Sequence, residues 1–170
     1  DGVTIMFPGQ TSMQAGGERA GRRVRLRIAD AEAVGQIPLV KAWSPEFMSQ
    51  VPLSWGTKQG SYQVRAVAPD YALMRNQQPA VGRFFDAEDV RLQRRVAFLG
   101  STVALKVFGN VPAVGESIRI KGMPFDVIGV GKEKVQLSNY NRPDKESVFI
   151  PHTTAGQLWN TEFLNVLVYQ

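Results

Sequence analysis

The segment from Val81 to Gly131 constrains the fold most, because nearly every structural boundary in it is written in the residues themselves. Asp86 follows Gly82-Arg83-Phe84-Phe85 and can cap a short helix starting at Ala87, with Asp89 near its dipole-positive end. Val96-Ala97-Phe98-Leu99 is an unbroken apolar run, the pattern of a strand buried on both faces. Gly100-Ser101-Thr102 opens a helix, Thr102 to Phe108, which Gly109 can close in a left-handed conformation. Ser117 to Lys121 and Phe125 to Val130 read as a hairpin turning through Lys121-Gly122-Met123-Pro124. The segment contains no nucleophile, general base or metal-ligand cluster.

The remainder is strand-rich with short helices between. Strands are expected at Val3 to Phe7, at Val24 to Ile28, and at Val40 to Phe47, the last an edge or bent strand because of Pro45. Asp30 reads as the cap of a helix from Ala31 to about Gln36. Pro52 to Trp55 and Tyr62 to Val67 form a hairpin across Gly56-Thr57-Lys58-Gln59-Gly60, and Pro69-Asp70-Tyr71 starts a helix reaching about Met74. A polar loop, Gln136 to Lys145, precedes a strand at Val148-Phe149-Ile150. A helix led by Thr153 or Thr154 then reaches Trp159, and a last strand covers Leu164 to Tyr169.

Composition narrows the function classes. With 44% apolar and 21% charged residues in 170, the chain is an ordinary folded domain with a real core. Cysteine is absent, which removes disulfides and thiolate nucleophiles. No apolar run approaches the roughly 20 residues needed to span a bilayer. Opening on Asp1-Gly2 without methionine, the sequence reads as a piece of a longer polypeptide. The net charge of +5 is concentrated in Arg19, Arg22, Arg23, Arg25 and Arg27. Val24, Leu26 and Ile28 alternate with three of these arginines, so a strand with a solvated basic face is preferred to an anionic membrane surface, an acidic partner or nucleic acid.

Candidate chemistry is sparse. Leu99-Gly100-Ser101-Thr102 could cradle a phosphate at a helix N-terminus, but lacks the P-loop lysine and the three-glycine fingerprint, so a plain capped turn is preferred. His152 is the only histidine and reads as a helix-start residue. Asp86, Glu88 and Asp89 lack the ligand spacing of a calcium loop and read as capping residues. Ser12 and Ser101 have no nucleophile-elbow context. Trp43, Trp55 and Trp159 read as core or subdomain-contact residues. No catalytic, cofactor-binding or metal-binding residue is assigned.

Several ordered pieces carry a family resemblance. They are Thr4-Ile5-Met6-Phe7-Pro8-Gly9, Val64-Arg65-Ala66-Val67-Ala68-Pro69-Asp70-Tyr71 and Gly82-Arg83-Phe84-Phe85 with Asp89. Val96-Ala97-Phe98-Leu99-Gly100, Leu105-Lys106-Val107-Phe108-Gly109 and Val114-Gly115 with Ile118-Arg119-Ile120 follow. Phe125-Asp126-Val127-Ile128-Gly129-Val130 and Phe149-Ile150-Pro151 with Thr153-Thr154-Ala155 complete the order. In this order they resemble the extracytoplasmic core domain of MacB-like ABC transporter permeases, the group that includes FtsX- and LolCE-type proteins. Ala66 and Lys106 depart from the common wording, and such permeases usually continue beyond the position of Gln170.

The resemblance implies an α+β fold in two parts. Residues 1–43 and 139–170 would form a membrane-proximal βαβ-type subdomain, and residues 44–138 an inserted, distal, strand-rich one. It also implies a non-catalytic, periplasmic domain of an inner-membrane protein, joined to its own transmembrane helices and served by a cytoplasmic ATPase domain or subunit. A periplasmic adaptor or lipoprotein partner and a homodimeric full-length protein follow from the same resemblance, with no cofactor and no nucleic acid. Two rivals stand beside it: a same-fold domain in a signalling or cell-wall hydrolase-activating complex, and a small hydrolase or nucleotide-binding enzyme. Chain termini on one face would favour the permease.

Overall fold

The structure, a computed structural model, describes residues 2–8, 25–133 and 143–170. Nine strands occur among them: β1 Thr4–Met6, β2 Trp43–Trp55, β3 Lys58–Val67, β4 Pro79–Gly82, β5 Val96–Leu99, β6 Ser117–Ile120, β7 Met123–Gly131, β8 Ser147–Pro151 and β9 Val166–Tyr169. Four short α-helices accompany them: α1 Ile28–Gly35, α2 Asp70–Met74, α3 Ala87–Arg91 and α4 Ser101–Phe108. The fold is α+β, as the sequence implied.

The strands share one mixed sheet, ordered β1-β9-β2-β3-β8-β5-β7-β4, with β6 pairing both β2 and β7. Through β6 the ladders return on themselves: β2, β3, β8, β5, β7 and β6 form a closed circuit. Strand residues alternate between its two sides. Phe47, Val51, Val64, Ala66, Leu99, Ile120, Val127 and Ile150 fill one cluster, into which α4 packs Val103, Val107 and Phe108. Phe98, Phe149 and Val168 enter a second cluster with Tyr71 and Met74 of α2 and Phe85 before α3. Burial on both sides explains why β5 is continuously apolar.

Most boundaries lie where local chemistry set them. The Asp86 carboxylate accepts the Asp89 backbone N–H at 3.0 Å and caps α3, and Gly109 ends α4 at φ +58°. Lys121 and Gly122 both have positive φ (49° and 81°), so the β6–β7 turn is a two-residue primed turn, with Met123 and Pro124 already in β7. Gly82 has φ +71°, and a Cβ there would run into the Ile128 carbonyl; this allows β4 to lie against β7. The sequence reading missed β4, because Pro79 and Gly82 are turn residues in any local pattern. It is an edge strand whose four residues are all exposed.

Four expectations are corrected. Val24, like Arg19, Arg22 and Arg23, lies outside the described residues, and residues 25–28 form no strand: Leu26 makes one bridge to Leu164, and α1 begins at Ile28. The Asp30 carboxylate accepts the Arg27 N–H at 2.7 Å, so it acts from inside the first turn and starts the helix earlier. Pro45 does not end or bend a strand off the sheet, because β2 runs through both Pro45 and Pro52 for 13 residues. At Pro45 only β9 is paired to β2, and at Pro52 only β3, so each missing N–H falls where no ladder bond is made. The helix expected at Thr153 or Thr154 is a 3-10 turn, His152–Gln157. The Thr153 and Thr154 hydroxyls donate to the Val90 and Arg94 carbonyls at 2.6 and 2.9 Å instead of capping. Ser12 and most of the polar loop after Gln136 lie outside the described residues.

Candidate contact surface

Antiparallel pairing places Thr4 opposite Tyr169 and Tyr169 opposite Trp43. The Lys41 and Ala42 N–H groups donate to the Gln170 carbonyl at 2.6 and 3.3 Å. The two ends of the described chain therefore sit side by side, at the start of β2. The far end of β2 meets β6 and, across the two-residue turn Gly56-Thr57, continues into β3. There Trp55 packs against Phe108 with ring centroids 4.5 Å apart and donates its indole N–H to Glu116 at 3.3 Å.

An apolar groove of about 420 Å³ opens between β4, α4 and the turn that follows it. Val81, Leu105, Val111, Pro112, Val114 and Val130 line it, and Val81 and Leu105 are 58% and 67% exposed. Val81 pairs with Val130, and Val130 with Leu99, so the groove lies towards the C-terminal end of β5, away from the chain ends. Its walls are mostly apolar, with Ser101 the one polar lining residue, a surface suited to contact.

Beside Val81, Arg83 grips the fully buried Asp89 by two hydrogen bonds, 2.7 and 3.3 Å long, and Arg94 adds a third at 3.1 Å. Arg83 is half-exposed, so it holds this ion pair and still shows part of its side chain to solvent. Burial alone would raise the Asp89 carboxyl. Hydrogen bonds from Arg83, from the Asp86 backbone N–H and from Arg94 outweigh that and hold it far below the usual carboxylate range. Glu88 is engaged by Arg91. Each carboxylate of the Asp86, Glu88 and Asp89 group is thus spent on a backbone N–H or a guanidinium.

Asp89→Asn should destabilise the domain by about 2 kcal/mol at neutral pH, since it strips one charged acceptor from two arginines. The linkage has a definite sign. A depressed folded-state value stabilises at pH above the unfolded value of about 3.9, and that gain is lost as pH falls below it. Urea unfolding from pH 7 to pH 2.5 checks this: the wild-type chain should lose stability in the acid range, and the variant should lose less.

A second charged knot, missed in the sequence, lies wholly inside. Arg65 of β3 is 1% exposed, and its Nη1 reaches Glu46 at 3.3 Å, Asp144 at 3.4 Å and the Tyr71 hydroxyl at 3.2 Å. The Tyr71 hydroxyl donates to Asp144 at 2.9 Å. Glu46 and Arg65 are diagonal neighbours on adjacent strands, Tyr71 comes from α2, and Asp144 comes from the 3-10 turn Asp144–Glu146. The available signal was Arg65 itself, a charge among Val64, Ala66 and Val67 where both strand faces are apolar.

The other sequence candidates separate. Gly100 leads α4 as a plain turn, its N–H bonded to the Ser147 carbonyl at 2.9 Å. A Cβ at Gly100 would run into the backbone carbonyls of Asp144 and Lys145, so the glycine is there for close packing. His152 is mostly buried; burial lowers its pKa, against smaller raising effects from the Val67 backbone and Glu32. Trp43, Trp55 and Trp159 are half-buried and pack against the first cluster. The Arg25 and Arg27 guanidiniums lie 4.8 and 5.0 Å from the centre of the Phe163 ring. No helix among the described residues is long and apolar enough to cross a membrane.

Comparison with known proteins accords with this architecture. The chain is 34% identical over 139 residues to the macrolide export ATP-binding/permease protein MacB of Bdellovibrio bacteriovorus, covering 81% of the chain and 21% of that protein. It is 35% identical over 136 residues to the MacB of Chlorobaculum tepidum, covering 79% and 21%. The chain thus spans about a fifth of the length of these curated relatives. The periplasmic region of MacB from Actinobacillus actinomycetemcomitans superposes with a TM-score of 0.80 at 20% identity, over 99% of this chain and 73% of that one. The extracellular domain of the transporter YknZ from Gram-positive bacteria gives 0.79 at 16%, over 98% and 83%. The model of the MacB-like periplasmic core domain matches residues 1–169, and the chain belongs to that family.

Proposed function

We propose that this domain is a non-catalytic transmitter. It carries ATP-driven motion from the membrane helices of a MacB-like permease to a contact that exports or extracts a substrate, directly or through a periplasmic adaptor or lipoprotein. One observation carries the reading: β2 is a single 13-residue strand that starts beside both chain ends and finishes at the opposite end of the closed circuit. At about 3.3 Å per residue it spans roughly 40 Å. Its ladder with β3 is unbroken from Glu46↔Val67 to Trp55↔Lys58. A displacement at the chain ends therefore has a continuous hydrogen-bonded path to the distal end, where the groove beside α4 offers an apolar contact. In this reading residues 1–43 and 139–170 are the membrane-proximal part, residues 44–138 the distal part, and two copies work as a dimer whose arrangements interchange with nucleotide state.

The test uses the full-length protein in liposomes, with Thr57→Cys spin-labelled at the tip of the β2–β3 hairpin; the domain itself contributes no competing cysteine. Electron–electron distance measurements should give a distribution between two copies that shifts when a non-hydrolysable ATP analogue binds. An unchanged distribution, or no coupling between labels, would refute transmission through a dimer.

A further inference from the structure

Ladder pairing leaves one half of β3 open. The strand pairs with β2 along its whole length, but β8 lies beside it only from Gln63 to Val67. From Lys58 to Tyr62 its outer edge has no strand against it among the described residues. The Pro52 carbonyl accepts the Lys121 N–H at 2.9 Å, on the β6 side, so the Pro52–Ser61 rung carries no bond between β2 and β3. The peptide groups of Ser61, and by alternation those of Gln59, therefore point outwards from the sheet edge. Helix α4 runs alongside this edge. Its leading Gly100 N–H is bonded to the Ser147 carbonyl, level with Gln63, and near its other end the Lys58 amine donates to the Val107 carbonyl at 3.2 Å. Two hollows of about 50 and 140 Å³ lie in the cleft between strand and helix, and Tyr62 and Lys106 line both.

This cleft lies on the other flank of α4 from the apolar groove and shares no lining residue with it. The hollow nearer Gln63 is polar, with Gln50, Thr102 and Glu146 around it. Gln63 itself is 4% exposed, and its buried amide oxygen has no hydrogen-bond partner among the described residues. The hollow nearer the hairpin turn carries Lys58 and Lys106 beside Leu53, and neither amine forms an ion pair among the described residues. An extended main chain is what presents donors and acceptors at the spacing that Gln59 and Ser61 leave unmet. We propose that the cleft takes an extended segment of a partner protein as an added strand, with an acidic side chain seated between Lys58 and Lys106. Main-chain bonds to Gln59 and Ser61 set its register, and the two ammonium groups select the carboxylate. The site is independent of the permease reading, because every group that forms it lies within this chain.

The probe is a positional-scanning library of fluorescein-labelled hexapeptide amides, read by fluorescence polarisation against the full-length protein in nanodiscs. Pools with a fixed aspartate or glutamate should bind, and pools with a fixed lysine or arginine should not. The residues preferred at each position are then combined in one peptide. Lys106→Glu should weaken that peptide about tenfold or more, since a charge-assisted bond becomes a repulsion. Ser61→Pro removes the outward N–H without touching the β2 ladder, so it should abolish binding and leave the melting temperature unchanged. Leu105→Ser, in the separate groove, should bind as wild type. N-methylation of the peptide at alternate amides should block binding for one set of positions and spare the other. Failure of every acidic pool to bind, equal binding of basic pools, or full binding by a folded Ser61→Pro variant overturns strand addition. Should Ser61→Pro melt early, the methylated peptides decide, and equal binding of both sets overturns it.

Discussion

Replacing Arg65 by methionine is expected to cost about 3–5 kcal/mol of folding stability, because it removes the cation from between two buried carboxylates. Glu46 and Asp144 are both 0% exposed, and each lies within 3.4 Å of the same guanidinium nitrogen. A buried pair contributes modestly when intact, since dehydrating the charges offsets most of their attraction. Half a pair leaves a charge with nothing to oppose it. For a domain of this size the loss should lower the melting temperature by about 10 °C or more. Thermal unfolding followed by circular dichroism reads this directly. Adding Glu46→Gln and Asp144→Asn to Arg65→Met should recover much of the loss, because no unopposed charge then remains inside. A variant with only Arg65 changed that melts within 2 °C of wild type would show that the knot is not a structural clasp.

The clasp also marks where sequence reading stopped. Between Val81 and Gly131 each element is announced by neighbours a few residues away: Asp86 caps α3, Gly109 ends α4, and Lys121-Gly122 turns the hairpin. Those signals are local, so they survive without knowledge of the fold. Arg65, Glu46, Tyr71 and Asp144 are spread over almost a hundred positions and meet only because β2, β3 and β8 fix their register. No spacing rule reaches that far. Pro45 failed as a strand breaker for the same reason, since its tolerance depends on which side of β2 has a partner. The distal groove was equally illegible. Val81, Leu105 and Val111 belong to an edge strand, a helix and a turn, and only the β4–β7 pairing brings them to one surface. The adjacent chain ends likewise follow from the register of β1, β9 and β2, although the family resemblance had implied them.

Gly100→Ala should be nearly as damaging as the loss of Arg65, at about 3 kcal/mol, and for a connected reason. The φ of Gly100 is −60°, which any residue can adopt, so the requirement is space and not backbone freedom. An added Cβ would lie 2.6 Å from the Lys145 carbonyl carbon and closer still to the Asp144 and Lys145 carbonyl oxygens. These are backbone atoms and cannot rotate away. The 3-10 turn Asp144–Glu146 would have to shift, and Asp144 would be drawn from Tyr71 and Arg65. The two sites should therefore be energetically coupled. Measured by urea unfolding, Gly100→Ala and Asp144→Asn together should cost clearly less than the sum of the two alone, because the second change removes an interaction the first has already strained. Strict additivity would mean that the turn absorbs the methyl group without moving Asp144. A phosphate-cradling Gly100 would behave differently: its alanine variant would fold normally, and the wild-type chain would gain stability with millimolar phosphate. Coupling between positions 100 and 144 without any response to phosphate would fix the strand-to-helix turn as the support that seats the buried clasp.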